Sequence, residues 1–117
     1  MMISEMNTPA QIQRKIRRLQ RQLADLGPMH PGSLSAQYNV CGKSDCRCKA
    51  PRDPQKHGPY SQLSFTWRGK SSTRFVRPEQ LQPMREKVAN YKHFRELTDE
   101  WVDLAVELER AQREQAK

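Results

Sequence analysis

All three cysteines of the chain fall between residues 41 and 48, and this clustering constrains the fold more than any other feature. They read Cys41-Gly42-Lys43-Ser44-Asp45-Cys46-Arg47-Cys48, and His57-Gly58-Pro59-Tyr60 follows. A disulfide scaffold needs pairs spread along the sequence, so an odd number in one short stretch points to reduced thiols and a cytoplasmic protein. The pattern C-x4-C-x-C-x8-H offers three thiols and one imidazole, the donors of a tetrahedral Cys3His zinc site. Cys41, Cys46, Cys48 and His57 are the expected ligands, with His30 in reserve for the fourth position. Lys43, Arg47, Lys49 and Lys56 would ease ionisation of the thiols. The spacing is not that of the common C-x2-C knuckle, and the single residue between Cys46 and Cys48 demands a tight bend if both are to point inward. Two other readings stand beside zinc. Cys41 and Cys48 could be ordinary thiols with His57 steadying the Gly58-Pro59 turn, or the cysteines could sense redox state.

Composition explains why such a site would matter. The chain has 117 residues, enough for one small domain (1–117), and only 35% are apolar. Leu, Ile, Val and Phe make up about 17% of it, less than a charged chain usually needs to fold unaided. A metal, a partner chain or a nucleic acid is therefore expected to support the fold. No apolar run approaches the ~20 residues that span a bilayer. Residues 1–9 lack the basic-then-apolar pattern of a signal peptide.

The formal net charge is +8, and it is uneven. Residues 28–78 hold nine basic and two acidic residues, whereas residues 79–117 are slightly acidic. A polyanion, DNA ahead of RNA, is the natural partner for such a segment. The expected contacts are Lys43, Arg47, Lys49, Arg52 and Lys56 around the cysteines and Arg68, Lys70, Arg74 and Arg77 beyond them. The alternative is a solvated basic surface.

The periodicity predicts an α+β fold. Residues 8–27 read as an amphipathic helix opened by a Thr8–Gln11 capping box with Pro9 in its first turn. Ile12, Ile16, Leu19, Leu23 and Leu26 form a heptad-like seam, and Arg14, Arg17, Arg18 and Arg21 lie opposite it. Gly27 in a left-handed conformation, then Pro28, would end the helix. Residues 28–59 read as a Cys/His loop. Residues 60–77 read as a β-hairpin about a three-residue Arg68-Gly69-Lys70 turn, pairing Trp67 with Ser71, Phe65 with Thr73 and Leu63 with Phe75. Residues 78–113 read as a long helix, kinked or truly begun at Pro83, and 114–117 as a frayed tail. Its seam runs Leu81, Met84, Val88, Tyr91, Phe94, Leu97, Trp101, Leu104, Leu108 and Ala111. The two helices could pair as a coiled coil within the chain or between chains.

These motifs carry a resemblance. Pro31-Gly32-Ser33-Leu34, Cys41-Gly42-Lys43, Cys46-Arg47-Cys48, His57-Gly58-Pro59-Tyr60, Gly69-Lys70 and Arg77-Pro78-Glu79-Gln80 occur in the order seen in a family of small bacterial proteins catalogued as a domain of unknown function. The stretch from Asn90 to Leu97 is similar to that family's NYR-like helix segment. The resemblance covers roughly residues 31–108. The chain departs from the pattern at Tyr60-Ser61, where the family carries two aromatics, and in an insertion-like Ala50–Gln55 segment before His57. The resemblance implies no activity, and it implies an association with mobile genetic elements.

No phosphate-binding Gly-rich loop, serine nucleophile elbow or acidic metal-holding cluster is present, so the chain is not expected to be an enzyme. Two functions remain in view. The first is a zinc-stabilised nucleic-acid-binding accessory protein whose hairpin enters a major groove, with Trp67 or Tyr60 stacking on an unpaired base. The second is an assembly or adaptor protein whose helices form a homodimer or dock on a larger partner such as a transposase or recombinase.

Overall fold

The computed structural model describes residues 7–116, which form two compact units. The elements are helix α1 (Pro9–Ala24), strands β1 (Ser33–Asn39), β2 (His57–Trp67) and β3 (Lys70–Val76), and helix α2 (Pro78–Gln115). The architecture is α+β, as expected, with a three-stranded antiparallel sheet in the order β1-β2-β3. No helix among the described residues is long and apolar enough to cross a membrane.

One unit comprises the chain up to Pro28 together with the part of α2 from Asn90 onward. The capping box forms: Gln11 N–H donates to Thr8 Oγ1 (3.2 Å) and Thr8 N–H to Gln11 Oε1 (2.9 Å). Asn7 Nδ2 bonds Glu107 Oε1, and Asn90 Nδ2 bonds the Pro28 carbonyl, so α1 runs antiparallel to this stretch of α2. The seam residues of α1 (Ile12, Ile16, Leu19 and Leu23) and Leu26 just beyond it are turned from solvent, with Ile12 and Leu19 buried, and Leu97 is buried on α2. The seam is therefore satisfied inside the chain. Helix α1 stops earlier than the sequence suggests. Asp25 N–H bonds Arg21 O and Leu26 N–H bonds Leu23 O, while Gly27 does not take the expected left-handed conformation. A Cβ on Gly27 would lie 3.2 Å from Asn90 Nδ2, so close approach is what this glycine provides.

The other unit, residues 29–89, holds the sheet and the first turns of α2. Its core is Leu63, Val76 and Met84, with Leu34, Phe65, Leu81 and Val88 packed around them. Two sequence expectations need correction here. The stretch 28–59 is not all loop, because Ser33–Asn39 pairs with β2 as an edge strand. The hairpin is also out of the expected register by one residue: Leu63 pairs with Arg74, Phe65 with Ser72 and Trp67 with Lys70. Arg68 (φ 52°) and Gly69 (φ 78°) are both left-handed and form a two-residue turn of the kind that matches strand twist. The shift turns Val76 into the core and leaves Phe75 outside, 58% exposed. Helix α2 starts at Pro78 and contains Pro83 in its second turn, and it continues through Gln115 into the stretch expected to fray. Lys117 and residues 1–6 lie outside the described residues.

Candidate metal centre

Strand pairing sets up the site. Asn39, the last residue of β1, pairs with His57, the first of β2, across a register shift after Gln37. The 40–56 segment leaves and returns at this point, which brings Cys41 and His57 to the same end of the sheet. Gly58 makes the closure possible. Its φ is 130°, and a Cβ there would lie 2.6 Å from the Gln37 carbonyl oxygen, so no larger residue fits against β1.

Within the loop, Cys46 N–H bonds Lys43 O (3.3 Å). A single 3-10 turn then covers Arg47–Lys49, with Lys49 N–H on Cys46 O (3.0 Å) and Ala50 N–H on Arg47 O (3.2 Å). This is the tight bend that a C-x-C pair requires. Gln55 N–H also bonds Arg47 O (3.0 Å), so the Ala50–Gln55 segment doubles back on itself and does not hold His57 away.

The four donors converge. The sulfurs of Cys41, Cys46 and Cys48 and a ring nitrogen of His57 all lie within 4.8 Å of one another. Cys41 Sγ is 3.5 Å from Cys48 Sγ, and Cys46 Sγ is 3.2 Å from His57 Nε2. With metal–sulfur bonds of ~2.3 Å and metal–nitrogen bonds of ~2.0 Å, the edges of a tetrahedron are about 3.5–3.8 Å. No pair needs to move by more than about 1 Å to reach that shape. Cys41 N–H donates to Cys48 Sγ (3.3 Å), an outer contact that orients a ligating sulfur and offsets its charge. Cys48 is buried, whereas Cys41, Cys46 and His57 are half-buried.

Electrostatics within the cluster separates the thiols. The Cys46 thiol is lowered from its ordinary 9.0 to about 6, first by the backbone N–H of Cys48, then by hydrogen bonds from the Cys41 and Cys48 side chains, with His57 contributing least. Burial pushes the Cys48 thiol up. The cluster thus holds one sulfur ready as a thiolate near neutral pH, the form that ligates a metal. These residues could hold a metal ion.

The structure brings together the four expected ligands and leaves out His30. That ring sits edge-on to Phe65 with centroids 4.6 Å apart, and its Nδ1 lies 2.7 Å from the Pro31 carbonyl oxygen. The reserve ligand is therefore a packing residue, held in place by the bond from its backbone N–H to Lys87 O.

The nine basic residues are all exposed, and they divide into groups. Lys43, Arg47, Lys49, Arg52 and Lys56 surround the cluster on the 40–56 loop. Arg68 and Lys70 sit at the β2–β3 turn, at the far end of β2, roughly 33 Å away along the strand. Arg68 lies over the Trp67 ring, 5.9 Å from its centroid. Arg74 lies on β3 and Arg77 follows it. Between the two ends lies a sheet face that the expected register had concealed. It includes Phe75, which the three-residue turn would put in the apolar layer. Reading Arg68-Gly69 as a two-residue turn is the step that reveals that face, because it alone shifts Phe75 across the sheet.

Residues 9–86 match the family described as "Domain of unknown function (DUF6788)", a span that takes in α1, the whole sheet, the four-donor cluster and the start of α2. It begins earlier and ends earlier than the stretch over which the motifs suggested kinship. No curated protein and no solved structure matches the chain. With two-thirds of its length inside that match, the chain belongs to the DUF6788 family of domains of unknown function.

Proposed function

We propose that the chain is a small nucleic-acid-binding accessory protein, DNA before RNA, whose 40–56 loop is held by a structural zinc ion. The observation that carries this reading is the convergence of Cys41, Cys46, Cys48 and His57. Three sulfurs and one imidazole nitrogen suit zinc better than the oxygen-seeking hard cations. Only Cys48 is buried between Val40 and Lys56, so the loop has almost no apolar core to order it, and an ion would supply that order.

The charge supports the nucleic-acid half. Among the described residues the only ion pair is Arg113–Glu109, so none of the nine cations of residues 28–78 is neutralised by a carboxylate. Arg and Lys held on a fixed loop and turn would meet phosphates. No catalytic role is proposed.

The test measures zinc content on protein purified without chelator, beside Cys46→Ser, and then oligonucleotide affinity against salt. About one zinc per chain, lost in the variant, is expected. If five cations engage phosphates, log affinity should fall against log salt with a slope of about −4.5. No zinc and an unchanged Cys46→Ser fold would remove the first half, and no binding at low salt the second.

One observation favours an assembly role as a second reading. Val102 and Val106 on α2 are 61% and 56% exposed, beside Trp101 and Ala105, although the α1 seam is already paired. Sedimentation would detect a homodimer, and co-purification with a transposase or recombinase encoded beside it would support a docking role.

A further inference from the structure

We propose that the outer face of the three-stranded sheet binds single-stranded nucleic acid and seats an unpaired base in the cleft formed by Tyr60, Phe75 and Arg77. The inference rests on the nucleic-acid reading above and names the form of nucleic acid and where it lies.

The cross-strand register defines this face. Ser33, Ser64 and Thr73 stand in one row across the sheet, and Ser35, Gln62 and Phe75 in the next. Tyr60 follows on β2, paired with Gln37. Alternation places Leu34, Leu63 and Val76 on the opposite, core-forming face. The outer face is therefore uncovered within its unit, and it is rich in hydroxyl and amide groups. Ser64 and Thr73 approach to 3.4 Å, and Thr66 and Ser71 to 2.9 Å, leaving their remaining lone pairs and protons for a ligand. None of the three strands contains an Asp or Glu. A polyanion lying here meets no like charge.

Two aromatic rings break this polar surface. Tyr60 is 43% exposed and Phe75 58%, and they meet edge-to-face with centroids 6.0 Å apart. They line a cleft of about 510 Å³ with Pro59, Arg77 and Pro78, at the end of the sheet where it also reaches Ser61, Val76 and Leu81 on the core side. That volume lies within the roughly 300–1,000 Å³ typical of small-ligand sites. An exposed aromatic ring beside a guanidinium matches a nucleotide: the ring stacks on the base and the cation takes the phosphate. The basic loop flanks one end of the face and the Arg68–Lys70 turn lies beyond the other, so a strand crossing the sheet would meet cations at both ends.

The same geometry argues against a duplex on this face. Stacking on Tyr60 or Phe75 requires a base that is not already stacked and paired. Nor is the β2–β3 hairpin a free ribbon for a major groove, because β1 occupies the other edge of β2 as far as Ser64.

The experiment measures anisotropy of labelled 15-nucleotide single strands, DNA and RNA of one sequence, and of the matching DNA duplex. Wild-type protein is compared with Tyr60→Ala, Phe75→Ala, Tyr60→Phe and Trp67→Ala, each checked for zinc content and melting temperature. Tyr60→Ala and Phe75→Ala should each weaken single-strand binding roughly ten- to a hundredfold and leave the salt slope unchanged. Tyr60→Phe should retain affinity, as should Trp67→Ala, whose ring lies on the opposite face. Tighter binding of RNA than DNA, or the reverse, identifies the source of the strand. Equal affinity for single strand and duplex, unmoved by Tyr60→Ala and Phe75→Ala, would overturn this inference and leave the nucleic-acid reading standing. Failure of the wild type to bind any oligonucleotide at low salt would overturn both.

Discussion

Cys48→Ser is the substitution that tests the metal centre most directly. Cys48 is the only buried ligand, its sulfur lies 3.5 Å from that of Cys41, and it accepts the Cys41 N–H. Serine fits the space but offers a neutral oxygen where zinc requires a soft thiolate. A structural zinc site in a small domain is worth ~10–16 kcal/mol in apparent binding free energy near pH 7. Spread over four ligands, one thiolate accounts for ~2.5–4 kcal/mol, a loss of affinity of roughly seventy- to several-hundredfold. The expected result in a competition titration against a colorimetric zinc chelator is a shift of that size. His57→Ala should give a loss of the same order, whereas His30→Ala should leave affinity unchanged because its ring packs on Phe65. Wild-type affinity in Cys48→Ser, or a greater loss in His30→Ala than in His57→Ala, would refute the ligand assignment.

Gly58→Ala should both weaken zinc retention and lower the melting temperature, since its Cβ would press on the Gln37 carbonyl at the point where β1 and β2 bring His57 to the cluster; calorimetry with and without added zinc would separate the two effects. Leu63→Ala removes the fully buried centre of the small sheet core and should cost about 2–5 kcal/mol in urea unfolding, whereas Phe75→Ala should cost under about 1 kcal/mol because that ring faces solvent. In chelator-treated protein the lowered Cys46 thiol, at about 6 against its ordinary 9.0, should make the folded state gain stability as pH rises from about 6 towards 9 and lose it as pH falls through 6. Urea midpoints compared with Cys46→Ser across that window would show the dependence disappear in the variant. Cys48, raised by burial, acts in the other direction: its contribution is full below pH 9 and is lost as pH climbs through its elevated value.

Much of the local structure was legible because it depends on neighbouring residues. Thr8, Pro9 and Gln11 make a capping box whatever lies beyond them, and the 3–4 spacing of Ile12 through Leu26 marks a buried stripe on any helix. The ligand set was legible for a related reason: few residue types bind soft metals, and this chain concentrates its three cysteines within one short segment. Strand β1 was not legible. Ser33–Asn39 has only Leu34 as a large apolar inward residue, and such an edge strand is held by backbone hydrogen bonds to β2 that leave no periodic signature.

The hairpin register shows where local reasoning stops. Gly69 suits either a two- or a three-residue turn, and the chosen one requires Arg68 to take a left-handed conformation that arginine seldom adopts. Val76 and Phe75 are adjacent and both apolar, so alternation alone could bury either one. The first turns of α2 decide between them, because Leu81, Met84 and Val88 come down over Leu63 and Val76. The sequence by itself thus determined the helices, their apolar seams, the basic middle segment and the three clustered thiols able to hold a metal, all set by residue chemistry and short-range spacing. Only the tertiary structure decided that α1 pairs within its own chain, that His57 rather than His30 meets the three thiols, and that Tyr60 and Phe75 share an open face. Each of those outcomes depends on contacts between segments distant in sequence, where packing and strand pairing select among arrangements that local propensity leaves nearly equal.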